Sequence, residues 1–70
     1  LPGASDLFLF VASGELHGLA IEMKTPEGTQ SPSQYLFEDA LIKAGYGYVM
    51  PNTFEKFKSA IEAYLERGEY

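Results

Sequence analysis

Two short apolar runs, DLFLFV at Asp6–Val11 and HGLAIEMK at His17–Lys24, stand on either side of the turn ASGE. Runs of this length, rich in Phe, Leu, Ile and Val, read as strands, and the glycine between them predicts a hairpin. A turn symmetric about Gly14 sets Asp6 across from Glu22. Side chains alternate along a strand, so this register groups Asp6, Phe8 and Phe10 with Ala20, Glu22 and Lys24. Leu7, Leu9, Val11, Leu19, Ile21 and Met23 take the other face. Apolar residues on both faces indicate strands covered on both sides, with an acidic cluster at one end of one face. The grouping depends on register, because a slip of one residue sends Asp6 to the opposite face.

The rest of the chain supplies cover. TPEGTQSP, from Thr25 to Pro32, reads as a loop, and the opening LPGAS as an extended or turn entry. Ser31 suits a helix N-cap with Pro32 at the first helical position. Phe37, Leu41 and Ala44 then form an apolar stripe at helical spacing, with Leu36 and Ala40 beside it. Gln34 lies on that stripe one turn earlier, and Gly45 suits a left-handed helix end. Tyr46–Met50 predicts a third strand, stopped by Pro51. Asn52 and Glu55 have the spacing of a capping pair before a second helix. That helix carries Phe54, Phe57, Ile61, Tyr64 and Leu65 on one side and ends near Gly68. The expected fold is α/β, a small mixed central sheet flanked by helices, in one domain over residues 1–70.

Seventy residues, 46% hydrophobic and 14% aromatic, suit one small folded domain. The chain has no cysteine and one histidine, His17, which excludes disulfides, thiolate sites and multi-histidine zinc sites. Any metal must rest mainly on oxygen ligands, which favours hard cations. The net charge of −5 disfavours binding nucleic acid through a basic surface. It leaves open an enzyme that meets phosphate through divalent cations. Neither a signal peptide nor an apolar run of membrane-spanning length is visible, so a cytoplasmic setting away from membranes is expected.

Two carboxylates on neighbouring strands, Asp6 and Glu22, can hold Mg²⁺ or Mn²⁺. Lys24, on the same face, can orient an attacking water or neutralise charge developing on a phosphate. An E-x-K spacing alone is common, and a solvated strand-end pair is the plain alternative for Glu22 and Lys24. Gln34 has its own plain reading, since Ser31 and Gln34 are spaced as a capping box. His17 falls at the far end of its strand and reads as structural. Tyr46 and Tyr48 read as packing, and Lys43, Lys56 and Lys58 as solvated.

Taken together, GASDLFLF, GLAIEMKTPEG, SPSQ and AGYGYVM resemble the VRR-NUC family, a branch of the PD-(D/E)xK nuclease superfamily. The resemblance runs from about Gly3 to Leu65. It implies a restriction-endonuclease-like core and a Mg²⁺- or Mn²⁺-dependent DNA nuclease acting on branched DNA such as four-way junctions. Asp6 matches the family's strand aspartate, Glu22 and Lys24 its E-x-K, and Gln34 the glutamine after its loop. The backbone carbonyl of Met23 is implied as a further metal ligand. Ser5 stands where the motif name has proline, and the helix and strand that ordinarily open the family fold are not supplied ahead of Leu1. A homodimer is expected, from the small core and from the analogy with compact relatives. The rival reading is a catalytically silent module of the same fold that binds DNA or a protein.

Overall fold

The computed structural model describes residues 6–24 and 30–70, so the entry expected at LPGAS and most of the loop expected after Lys24 lie outside it. The elements run β1 (Leu7–Leu9), β2 (Leu19–Ile21), α1 (Pro32–Lys43), β3 (Gly47–Val49) and α2 (Phe54–Arg67). β2 is central, antiparallel to β1 and parallel to β3, which makes the small sheet mixed as expected. A parallel neighbour cannot be reached by a tight turn, and α1 is the crossover that carries the chain back. The strands are shorter than their apolar runs.

Leu7 faces Ile21 and Leu9 faces Leu19, the pairing expected from the sequence. The turn that delivers it is not the symmetric one. Ser13 and Leu16 exchange two backbone bonds of 3.0 Å, so the loop is Gly14–Glu15. Gly14 has φ +58°, at the first loop position where a hairpin turn of the primed type takes glycine. Between this pair and the Leu9–Leu19 pair, the first arm holds Phe10, Val11 and Ala12, but the second holds only His17 and Gly18. One residue is left over on the first arm, as in a β-bulge. It undoes the shift that the turn alone would impose.

One face of the sheet builds the core. Leu19 and Ile21 are buried with Tyr64, and Leu9, Leu16, Val49, Phe57 and Ile61 pack around them. The second helix therefore lies on this face, through the stripe read from the sequence. Phe54 and Leu65, the ends of that stripe, stay exposed. On the other face Ala20 and Tyr48 are buried, and α1 lies against β3. In α1, Phe37 and Leu41 are half-buried, whereas Leu36 is exposed.

Helix ends follow local chemistry. Ser31 caps α1 with the full reciprocal box to Gln34, and Pro32 opens the first turn. The expected Asn52–Glu55 pair does not cap α2. Thr53 does, from an extended backbone that lets its hydroxyl accept from the Lys56 N–H, while the Asn52 side-chain oxygen is buried without a partner. Gly68 ends α2 in the left-handed region.

Candidate active site

Beyond β2 the backbone continues to bond to the chain after β3. The Glu22 N–H donates to the Val49 carbonyl at 3.0 Å, and the Lys24 N–H to Pro51 at 3.1 Å. Bonds that alternate in this way turn the Met23 N–H to the opposite side, where it donates to Asp6 Oδ2 at 3.1 Å. Glu22, Met23 and Lys24 are thus fixed by their own main chain, and Asp6 is tied to the same segment from β1.

Glu22 is only 5% exposed. A carboxylate so placed needs donors, and Gln34 Nε2 supplies one to Glu22 Oε1 at 2.8 Å. The Gln34 oxygen accepts from Lys24 Nζ at 2.7 Å and from the Ser31 N–H at 2.9 Å. Two donors converging on that oxygen fix which way the amide points, so its NH₂ must face Glu22. Gln34 caps its helix and bridges Glu22 to Lys24 at once. The two roles weighed as alternatives from the sequence are one arrangement.

Burial pushes the Glu22 carboxyl above its ordinary range, and the neighbouring Asp6 carboxyl pushes it further; Gln34 and Lys24 act in the opposite sense. Asp6, Glu22, Lys24 and Gln34, singled out separately along the chain, therefore stand together. The Ser31 backbone N–H is the member that sequence reasoning left out, because its capping box was read as competing with a site. Among the described residues, no group of three or more His, Asp or Glu side chains is placed to hold a metal ion. The oxygen donors are the pair Asp6 and Glu22 and nearby main chain.

A small mixed sheet that sets two carboxylates beside a lysine and an amide has the form of a nuclease-type α/β domain. A solved structure described as a VRR_NUC domain protein matches 97% of this chain with a TM-score of 0.89 and 32% sequence identity, and by that match the chain is related to the VRR-NUC domain proteins and shares their fold. The chain spans 57% of that protein's length. No protein-family model matches the sequence, and no curated protein does.

Proposed function

We propose that the chain is a Mg²⁺- or Mn²⁺-dependent nuclease domain that hydrolyses DNA phosphodiesters, with branched DNA such as four-way junctions as its substrate class. The observation that carries this reading is the Glu22–Gln34–Lys24 bridge with Asp6 beside it. The donor set fits a hard cation. Burial first, and then the neighbouring Asp6 carboxyl, raise the proton affinity of Glu22, and a bound cation offsets the carboxylate repulsion as a proton does. Asp6 and Glu22 would hold the ion, with the Met23 carbonyl as a third oxygen, since the Met23 main chain is the segment bonded to Asp6. When bound, such an ion supplies Lewis-acid polarisation of the phosphate and a more acidic water.

The chain's own residues do the rest. Lys24 presents positive charge where the phosphate gains negative charge, and Gln34 holds the ammonium in place. Gln34 has a second amide proton beyond the one given to Glu22, which is available to a water or a phosphate oxygen. A two-fold dimer would present two such sites to opposite strands of a junction, and the exposed Leu7, Phe10 and Leu36 offer apolar surface for association. Light scattering at micromolar concentration tests the dimer, and a monomer that makes paired cuts in a junction would exclude it.

The decisive experiment is cleavage of linear, flap and four-way-junction DNA with Mg²⁺, with Mn²⁺ and with chelator. Metal-dependent cutting that favours the junction is expected; no cutting of any substrate would reject the nuclease reading. The rival reading is a silent binding module, since among the described residues no third acidic side chain is placed with Asp6 and Glu22 to hold a metal. It predicts no carboxylate-dependent Mn²⁺ affinity.

A further inference from the structure

The register that sets Asp6 beside Glu22 is not the one the hairpin turn would impose by itself. Extending the Ser13–Leu16 pairing down both arms without a bulge puts Leu7 across from Glu22 and turns Asp6 to the opposite face. The intended register survives only while the extra residue in Phe10–Ala12 stays out of line. Something must hold it there.

Tyr64, in the last turn of α2, is fully buried and reaches this segment. Its hydroxyl donates to the Val11 carbonyl, inside the bulged arm, at 2.5 Å. Its own carbonyl accepts from the Ser13 hydroxyl, at the first residue of the turn. One residue thus grips the bulge and the turn from the same side. Burial raises the proton affinity of the phenol, which keeps it a donor. The turn is further seated on the end of the helix, where a Cβ placed on Gly68 would come within 2.8 Å of the Gly14 Cα.

We infer that Tyr64 is a positioning residue of the site: by holding the Val11 carbonyl and the Ser13 hydroxyl it locks the bulge, and through the bulge it sets Asp6 beside Glu22. The inference rests on the proposed reading for its link to activity, but the register itself can be observed without metal or DNA. Tyr64→Phe in the full chain keeps the ring and deletes the bond to Val11. NMR of the metal-free variant is expected to show the Leu7–Ile21 cross-strand contact weakened in favour of Leu7–Glu22. The Met23 amide, which Asp6 holds, should exchange about tenfold faster as the local structure opens. Mn²⁺ affinity should fall about tenfold, the usual scale for losing a group that orients a ligand.

Ile61→Val is the control, because it trims the same helix in the core without touching the hairpin bonds. It should leave the Leu7–Ile21 contact and Met23 exchange as in the parent. Equal changes in Ile61→Val would reduce Tyr64 to general packing and overturn the inference. So would an unchanged register and unchanged Met23 exchange in a folded Tyr64→Phe chain. Should that variant not fold, Ser13→Ala removes the second contact alone, and the same two NMR readings decide by the same criteria. A parent chain that binds no Mn²⁺ would defeat the proposed function and leave the register test intact.

Discussion

Lys24 and Glu22 stand two positions apart, yet each is bound to the opposite end of the Gln34 side chain. No direct ion pair joins them among the described residues. The amide stands between the ammonium and the carboxylate and bonds to both.

Removal of the ammonium separates chemistry from structure. Lys24→Ala should lose cleavage by about 10²–10³-fold, the scale for losing one preorganised group that stabilises transition-state charge. The lysine is half-buried, and its loss opens no core cavity. The far-UV spectrum and Mn²⁺ affinity, read on the same preparation, should stay near the parent.

Gln34 should be costly in two ways. Gln34→Ala leaves buried Glu22 without its amide donor and deletes half of the capping box, a loss of about 1–3 kcal/mol by the scale for unsatisfied buried groups. Gln34→Glu should be worse above neutral pH, because it sets a third carboxylate beside Glu22. Urea denaturation of both variants at pH 5 and pH 8 checks the order.

Asp6 and Glu22 were read as neighbours from a turn symmetric about Gly14, and the pairing holds although that turn does not, because a bulge offsets the difference. The turn itself was misread: Gly14 is not its centre, and the bulge that compensates leaves no residue-level signature in FVAS. Gln34 was legible as two competing roles because spacing cannot reveal that an amide uses its oxygen for a cap and its nitrogen for a carboxylate. The cap of α2 was misplaced for a related reason. Thr53 has Lys56 three residues on, so no reciprocal partner marks it, whereas Asn52 and Glu55 carry the pattern without the geometry. Tyr64 read only as one more member of an apolar stripe, since the partners of its hydroxyl and its carbonyl, Val11 and Ser13, lie more than fifty residues away in sequence.

The pH dependence follows from Glu22. Its folded-state pKa is raised, so between the ordinary glutamate value and the raised one the folded chain binds more protons than the unfolded chain. The contribution of this group to stability therefore falls as pH rises through that window and stays low above it. Glu22→Gln should gain stability relative to the parent across the window and hold a constant advantage beyond it. Over the same range the parent's Mn²⁺ affinity should climb, because proton and cation compete for one carboxylate. Denaturation and calorimetry as a function of pH measure the two curves.

Gly68→Ala tests the seat of the hairpin. Gly68 has φ +66°, and an added Cβ would lie 2.8 Å from the Gly14 Cα and 2.9 Å from the Ser13 carbonyl oxygen. Strain of this kind costs about 1–3 kcal/mol. Chemical denaturation should show that loss, with hydrogen exchange fastest at Ser13 and Leu16.

Tyr64 is bonded to Val11 and Ser13 across separations of 53 and 51 positions. A ribosome makes the chain from the other end, at roughly 5–20 residues per second. Asp6, Glu22, Lys24 and Gln34 are all polymerised before Tyr64 is. Until α2 emerges, the nascent hairpin has its own turn to follow and nothing yet to hold its bulge, so the carboxylate pair is set only after Tyr64 has been added and can fold back on the hairpin.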